Sequence, residues 1–292
     1  MHAPRTVIRR TLLVLFAAAL TSGLIAAQVP PRVVAADVFG AMRGPGDAAA
    51  TIGHRGDRAD APENTMPSLE LAMDEHAYVE TDVRLTSDGV PVLFHDVTLE
   101  RIAGVDARIE DLDLDAVSRL DVGSWYGEDF AGLRVPTLDE FLAALAERDA
   151  ASALVELKAT WTAAEIRTVI GLIERHNLRG RIVLQSFSIE TLQAIRATTP
   201  TTPRIMLVRE LPADPRWLAE QLGVIGFGTT AEAVTRAPGA VELAHSAGIA
   251  VLCYTLNTDE DWAAVSALGV DGIFTDEPSD LDAWLAVTAP GT

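Results

Sequence analysis

Short runs of β-branched residues alternate with longer segments of helical periodicity from Thr51 onward, and this alternation constrains the fold more than any other feature. Because parallel strands need long crossover connections, the pattern predicts a parallel sheet whose strands are joined by helices. The eight predicted strands cover residues 52–54, 79–84, 153–157, 182–186, 204–207, 224–228, 250–255 and 272–275. The predicted helices cover residues 66–75, 138–148, 163–176, 189–197, 240–247 and 259–268.

Eight strands with outer helices fit an α/β fold of the (β/α)8 type, a TIM barrel, whose usual size is about 250 residues. An open, doubly wound sheet is the alternative, but no glycine fingerprint of the dinucleotide-binding kind favours it. We therefore predict a catalytic barrel over residues 51–287, followed by a short tail at 288–292.

A small insertion follows the second predicted barrel strand. The turn signal Thr-Ser-Asp-Gly at 86–89 precedes an extra strand at 90–95, and residues 97–136 are then rich in Asp and Gly. In a barrel, an excursion at a strand's C-terminal end overhangs the active-site face. Two interpretations stay open for this insertion, a cap over the substrate and a small satellite core packed around Trp125.

Charged residues alternate with apolar ones on two of the predicted strands. Glu80 and Asp82 share one face of their strand, and Glu156 and Lys158 share one face of the next barrel strand. The apolar faces of both strands must contact the helices. The charged side chains are therefore expected to point inward, near the mouth of the barrel.

Three carboxylates within about 5 Å would repel one another by roughly 3 kcal/mol per pair at an effective dielectric constant near 20. Lys158, the only lysine in the chain, cannot balance that charge, whereas a divalent cation can. The single cysteine, Cys253, excludes a thiolate metal site, so oxygen ligands favour Ca²⁺ or Mg²⁺ over zinc. A network of salt bridges inside the mouth is the alternative on spacing alone.

Two histidines lie where they can reach the same mouth. His54 ends the first predicted strand, and His95 ends the extra strand, directly before Asp96. An imidazole with a pKa near 6.5 suits proton transfer at neutral pH, so a pair can serve as base and acid on opposite sides of a phosphorus centre. Asp96 is in a position to orient one of them.

The net charge of −19 argues against a nucleic acid partner, because the field of the protein repels polyphosphate. The N-terminal segment has the pattern of an export signal, with arginines followed by an uncharged apolar stretch at 11–27. As a helix this stretch reaches roughly 26 Å, slightly short of the roughly 30 Å hydrocarbon layer, so a removed signal is favoured over a permanent membrane anchor.

We therefore predict an export signal over residues 1–36, a tether over residues 37–50, and a secreted or extracytoplasmic protein. Cleavage after Ala27 and cleavage after Ala36 are both compatible with the small residues that precede these positions. The pair Arg9-Arg10 is compatible with the twin-arginine route as well as with the general secretory route.

A series of short motifs runs through residues 51–280. The motifs are His54-Arg55-Gly56, Pro62-Glu63-Asn64-Thr65, Glu80-Thr81-Asp82-Val83, Asp88-Gly89, His95-Asp96, Glu156-Leu157-Lys158, Gln185-Ser186-Phe187 and Gly272-Ile273-Phe274-Thr275-Asp276. In order and spacing this series resembles the glycerophosphodiester phosphodiesterase family. The family's fold is a barrel with an insertion after the second strand.

The resemblance implies a metal-dependent hydrolysis of small glycerophosphodiesters to glycerol 3-phosphate and an alcohol. It implies that a divalent cation, Ca²⁺ or Mg²⁺, is held by three carboxylates, which are those of Glu80, Asp82 and Glu156. It also implies that His54 and His95 act as general acid and base.

The resemblance further implies that Arg55 and Lys158 contact the phosphate of the substrate, with Glu63 and Asn64 supporting the substrate site. Two other functions stay open. One is a related barrel phosphodiesterase that acts on lipid head groups. The other is a non-catalytic exported binding protein that keeps the barrel as a scaffold.

Overall fold

A computed structural model of the protein describes residues 33–289. Within this range nine strands form one sheet. The strands are β1 (Ala50–Gly53), β2 (Tyr78–Leu85), β3 (Pro91–Leu93), β4 (Ser152–Leu157), β5 (Ile182–Ser186), β6 (Arg204–Leu207), β7 (Gly226–Thr230), β8 (Ala250–Tyr254) and β9 (Gly272–Thr275).

Eight of these strands close into a parallel barrel. The order is β1-β9-β8-β7-β6-β5-β4-β2, and the pairing of Ile52 with Tyr78 joins β1 back to β2. Strand β3 lies outside the barrel and pairs antiparallel with β2. Because the sheet closes on itself, the predicted (β/α)8 fold is confirmed and the open doubly wound sheet is excluded.

The described residues also form twelve α-helices. They are α1 (Ala35–Phe39), α2 (Met66–Glu75), α3 (Glu100–Ala103), α4 (Leu114–Val117), α5 (Leu138–Ala146), α6 (Ala163–Arg175), α7 (Ile189–Thr198), α8 (Pro215–Leu222), α9 (Ala231–Arg236), α10 (Gly239–Ser246), α11 (Asp259–Ser266) and α12 (Pro278–Thr288). None of the helices within residues 33–289 combines the length and apolar character that crossing a bilayer requires. The predicted export signal lies outside the described residues up to position 32, as does the end of the predicted tail at 290–292.

Local capping explains why several helices start where the sequence predicts. The hydroxyl of Thr137 accepts a hydrogen bond from the backbone N–H of Glu140, whose carboxylate accepts one from the backbone N–H of Thr137. Thr162 and Glu165 form the same capping box at the start of α6. Each box satisfies two backbone N–H groups that the first helical turn leaves unpaired.

Alternation along the strands separates two apolar regions. Outward side chains such as Val79 and Val83 pack against the surrounding helices. Inward side chains are apolar at the beginning of the strands, as at Tyr78 and Leu154, and charged further along, as at Glu80. On β2 and β4, a single inward row of side chains therefore contributes to both the packed floor and the charged mouth of the barrel.

Helix α1 closes the barrel at the end where the strands begin. The Phe39 side chain is buried and packs against the Tyr78 ring with 5.6 Å between centroids, and the Tyr78 hydroxyl donates to the Val38 carbonyl oxygen at 2.6 Å. The sequence predicts a tether from residue 37 onward, but in the structure residues 37–39 belong to this packed helix. The physical reason is that Ala35 and Phe39 provide an apolar face that the barrel floor buries.

The insertion after β2 forms a small core of its own. The buried residues of this core are Val92, Phe94, Leu99, Ile102, Ile109, Val117, Val122 and Val135. Trp125 is not among them, since its side chain is 39% exposed and its indole N–H donates to the Val122 carbonyl oxygen. The satellite core is therefore present, but the prediction that it packs around Trp125 is wrong.

Candidate active site

Three buried carboxylates meet at the carboxyl ends of neighbouring strands. Glu80 and Asp82 lie on β2, Glu156 lies on β4, and the strand register pairs Asp82 with Glu156. One oxygen atom of each carboxylate lies within 4.8 Å of the others. The inward face predicted from strand alternation is thus the face that carries the cluster.

Two positively charged side chains contact this cluster directly. The Lys158 Nζ atom lies 2.9 Å from Asp82 Oδ1 and 2.8 Å from Glu156 Oε1. The Arg55 Nε atom lies 3.2 Å from Asp82 Oδ2, and the Arg55 backbone N–H donates to Glu80 Oε2 at 3.0 Å. Three carboxylates with two cations leave one negative charge to be balanced in a buried site.

The pKa values of the three carboxyl groups are shifted by burial and by the same excess of negative charge. Burial, followed by the charges of Asp82 and Glu156, raises the pKa of Glu80 well above its usual range. Burial and the Asp82 charge raise the pKa of Glu156 to about 7. Burial alone would also raise the pKa of Asp82, but Lys158 and Arg55 outweigh it and hold the pKa of this carboxyl below its usual range.

This arrangement fits a divalent cation. All three groups are hard oxygen donors, and they converge on one point from two strands. Burial, and after it repulsion from the neighbouring carboxylates, raises the pKa of Glu80 and of Glu156 even with Lys158 in place. A doubly charged ion bound by the same oxygens would remove that repulsion.

His54 follows β1 and is fixed from one side by a carboxylate. Its Nδ1 atom lies 2.7 Å from Oδ1 of Asp276, which follows β9. Arg58 donates to Asp276 Oδ1 at 3.1 Å and Asn257 donates to Asp276 Oδ2 at 2.8 Å. On its other edge, His54 Nε2 accepts a hydrogen bond from Arg55 Nε at 3.2 Å. Burial lowers the pKa of His54 although the hydrogen bond that His54 donates to Asp276 opposes this effect.

His95 follows β3 and has a carboxylate partner of its own. Its Nδ1 atom lies 2.7 Å from Asp96 Oδ1, as the sequence predicts for this adjacent pair. The Arg101 Nε atom donates to Asp96 Oδ2 at 2.6 Å. Burial lowers the pKa of His95, and the Asp82 charge opposes that effect. Burial therefore favours the neutral form of both imidazoles.

Glu63 and Asn64 lie in the loop between β1 and α2. The Asn64 side-chain amide donates to Asp82 Oδ2 at 2.9 Å, and its oxygen accepts from the Thr81 hydroxyl and the Asp82 backbone N–H. Glu63 accepts hydrogen bonds from the side chains of Arg55, Arg58 and Arg101. Arg55 and Asn64 both have left-handed backbone conformations, with φ of 59° and 53°, which is strain of the kind that concentrates at functional sites.

Six of the nine predicted site residues line one cavity of about 150 Å³. Its polar side is formed by both histidines together with Arg55, Glu80, Glu156, Lys158 and Gln185. Its apolar side is formed by Phe187, Leu207, Tyr254 and Phe274. Asp82, Glu63 and Asn64 do not line this cavity. A small phosphodiester placed here would have its charged group beside the cations and its carbon skeleton against the aromatic side chains.

Four residues of the site were missed by sequence reasoning. Asp276 holds His54, Arg58 and Arg101 bind Glu63, and Gln185 donates to Glu80 Oε1 at 3.3 Å. Asp276 and Gln185 occur in the motifs of the sequence and lie at strand ends, which is a signal that could have found them. Arg58 and Arg101 lie in no such motif, and each also binds a carboxylate that is far away along the chain, Asp276 for Arg58 and Glu63 for Arg101.

A family model described as the glycerophosphoryl diester phosphodiesterase family matches residues 54–280. The chain belongs to this family. Members include a glycerophosphodiester phosphodiesterase of Caldanaerobacter subterraneus, which is 30% identical over 234 residues, 79% of this chain and 95% of that protein. One from Bacillus subtilis is 29% identical over 286 residues, 89% of this chain and 93% of that protein. The predicted family and the predicted enzyme class, a phosphoric diester hydrolase, are thereby confirmed.

Solved structures agree with this assignment. An Oleispira antarctica phosphodiesterase in complex with the product sn-glycerol-3-phosphate superposes with a TM-score of 0.76 at 28% identity, covering 82% of this chain and 97% of that chain. A glycerophosphodiester phosphodiesterase from Agrobacterium tumefaciens has a TM-score of 0.71 at 29% identity, covering 82% of this chain and 100% of that chain. The match to the family model, over residues 54–280, includes the insertion.

Proposed function

We propose that this glycerophosphodiester phosphodiesterase releases glycerol 3-phosphate and an alcohol, with a Ca²⁺ or Mg²⁺ ion and two histidines. The observation that supports this most strongly is the geometry of one cavity. Two imidazoles, each bound through Nδ1 to a carboxylate, face it together with two carboxylates of the three-carboxylate cluster. The Oleispira relative in complex with sn-glycerol-3-phosphate supports the product.

Glu80, Asp82 and Glu156 would hold the cation. When bound, a divalent cation supplies electrostatic stabilisation for the negative charge that develops on phosphate oxygens. We assign the remaining phosphate oxygens to Arg55 and Lys158, because both cationic side chains line the cavity next to the carboxylates.

The hydrogen bonds of the two histidines define which atoms move protons. A carboxylate can only accept, so Asp276 and Asp96 place the imidazole proton on Nδ1 of His54 and His95. Nε2 is then the basic atom of each ring. One histidine takes the proton of the nucleophile, and the other, in its protonated form, gives a proton to the leaving alcohol oxygen.

The nucleophile is either water or the neighbouring hydroxyl of the substrate. Hydrolysis in H₂¹⁸O with early sampling separates the two, because attack by the hydroxyl passes through a cyclic phosphate. A cyclic product that accumulates and then decays indicates the hydroxyl. Direct ¹⁸O incorporation without a cyclic product indicates water.

A chelator titration tests the cation. We expect purified protein to lose turnover of glycerophosphocholine in excess EDTA and to recover it when Ca²⁺ or Mg²⁺ is restored. A panel of lysophospholipids and sphingomyelin measured alongside tests the lipid head-group function, and no turnover of any diester would support the binding protein. Full turnover of glycerophosphocholine in excess EDTA would disprove the metal role.

We further propose that the protein is exported and that the signal is removed after Ala27. This position is supported by α1, since cleavage after Ala36 would remove Ala35, which is buried against the barrel floor. N-terminal sequencing of the exported protein tests the proposal. A mature chain that begins at Asp37, or a chain retained in the cytoplasm, would contradict it.

A further inference from the structure

Glu63 is a buried carboxylate that binds three arginine side chains. Its side chain is 4% exposed. Arg55 Nη1 donates to Oε1 at 2.7 Å, and Arg58 Nη2 donates to Oε2 at 3.1 Å. Arg101 adds two hydrogen bonds, at 2.8 Å to Oε1 and 3.0 Å to Oε2. Both oxygens of Glu63 therefore accept more than one charge-assisted hydrogen bond.

Two of these arginines also donate a hydrogen bond to an aspartate that binds one of the histidines. Arg58 also donates to Asp276, the carboxylate that holds His54. Arg101 also donates to Asp96, the carboxylate that holds His95. Arg55 extends instead to the carboxylate cluster through Asp82. Two chains of the form arginine, aspartate, histidine thus start from one carboxylate.

We propose that Glu63 positions both histidines at once, with Arg58 as the positioning residue for His54 and Arg101 as the positioning residue for His95. The inference rests on the proposed function, and it assigns no contact with substrate to any of these three side chains. It gives the insertion a role in the reaction, because Arg101 belongs to α3 of the insertion whereas Glu63 and Arg58 belong to the barrel.

The planar guanidinium explains why these chains can fix a geometry. Its N–H groups form a rigid fork, so an arginine that binds two carboxylates sets the distance and angle between them. Arg101 is held in addition by the Trp125 ring, whose centroid lies 5.7 Å from Cζ. Displacement of a reacting group by about 1 Å can cost about 100-fold in rate.

The test compares Arg58→Gln, Arg101→Gln and Glu63→Gln in pH profiles of kcat/KM for glycerophosphocholine at saturating cation. The profile has one limb for each histidine. Each arginine variant removes a positive charge beside one aspartate, so we expect it to move one limb to higher pH and to lower kcat/KM about tenfold. The two arginine variants must move different limbs. Glu63→Gln should move both limbs to lower pH and cost about 100-fold.

Other charged groups that face the two histidines are the same in all three variants. Besides its own chain, His54 faces Arg55 and Asp82, and His95 faces Asp82, Lys158 and Arg55. None of these is changed in the three variants. Cation binding, measured as the rise in melting temperature on adding Ca²⁺, is therefore expected to persist in each variant.

Matched controls come from exposed ion pairs. Arg119→Gln removes an arginine from the insertion whose partner is Asp115, and Glu174→Gln removes a glutamate whose partner is Arg179. Both controls should keep the rate and the profile of the unchanged protein. If Glu63→Gln does not fold, the two arginine variants keep the test, because Arg58 and Arg101 are partly exposed.

Titration of the histidine rings by NMR measures the effect of each arginine on its histidine without requiring turnover of a substrate. Arg58→Gln should shift the His54 titration alone, and Arg101→Gln should shift the His95 titration alone. The proposal would be overturned if both arginine variants shifted the titration of the same histidine. It would also be overturned if neither variant shifted the titration of either histidine. An unchanged protein that turns over no glycerophosphodiester would refute the proposed function, while the NMR result still decides the coupling.

Discussion

His54 and His95 are held in the same way although they come from different parts of the chain. In each case Nδ1 donates to an aspartate and that aspartate accepts from an arginine. Burial would raise the pKa of Asp276, but its hydrogen bond with His54 and the charge of Arg58 lower it to about 2. The aspartate partner of His54 therefore stays ionised throughout the physiological range. At the residue scale, the proposed chemistry depends on both imidazoles carrying their proton on Nδ1, which leaves Nε2 to act as the base.

Replacement of either histidine tests this view. We expect His54→Asn and His95→Asn each to lower kcat by about 10²- to 10⁴-fold, because each removes one proton-transfer group. His176→Asn is the matched control, since His176 pairs with Asp139 at the surface. Steady-state kinetics on glycerophosphocholine gives the result, and near-normal activity in either variant would remove that histidine from the mechanism.

At the element scale, the sequence locates most strands and helices to within about two residues. Strand β7 is shifted by two residues at both ends, since the sequence predicts 224–228 whereas β7 spans Gly226–Thr230. The apolar pair Val224-Ile225 suggests an earlier start, but pairing with β6 begins at Gly226, which lies opposite Ile205. Thr230 then ends β7 and caps α9 at once, accepting from the Ala233 N–H.

Outside the insertion, the sequence does not predict helices α1, α8, α9 and α12. Helices α8 and α12 each begin with a proline, and α1 and α9 span five and six residues, too short to show a helical period. Such segments are helical in the protein because the barrel buries one face of them, and burial against a distant element leaves no local pattern.

Helix α1 can be tested by removing its main apolar contact. Phe39→Ala leaves a void against the Tyr78 ring on the barrel floor, so we expect a loss of about 3 kcal/mol in the free energy of unfolding. Turnover under native conditions should persist, because the active site lies at the other end of the strands. Val34→Ala is the control, since this side chain is 45% exposed.

Urea unfolding followed by tryptophan fluorescence measures the change. If Phe39→Ala and Val34→Ala unfold at the same urea concentration, α1 contributes nothing to the barrel and the predicted tether regains support.

At the scale of the whole molecule, stability is expected to depend on pH and on the cation together. Glu80 and Glu156 have folded pKa values above the ordinary value of 4.5, with Glu156 at about 7. Such groups stabilise the fold fully below about pH 4.5, and this contribution is lost as pH rises through the folded pKa. A bound cation replaces the protons and removes the repulsion between the ionised carboxylates.

We therefore expect the rise in melting temperature caused by Ca²⁺ or Mg²⁺ to increase from about pH 5.5 to about pH 8. The comparison is between protein in EDTA and protein in excess cation, scanned by calorimetry. Glu156→Gln should reduce the rise and flatten its dependence on pH. A rise of equal size at both ends of this range would contradict the proposed cation site.

The sequence by itself determined the barrel and the inward face that carries the acidic residues. The reason is local, since a strand places alternate side chains on opposite faces wherever it lies. It also placed both histidines at the correct end of the barrel, because they follow their strands directly. These inferences needed no knowledge of which strands are neighbours.

Only the tertiary structure decided which side chains touch. His54 and Asp276 are separated by 222 positions and meet because β1 pairs with β9 when the barrel closes. Arg101 reaches Glu63 because the insertion folds around an apolar core of its own and brings Arg101 against the loop that follows β1. Such contacts depend on the path of the whole chain, so a sequence pattern, which reports only neighbours along the chain, cannot specify them.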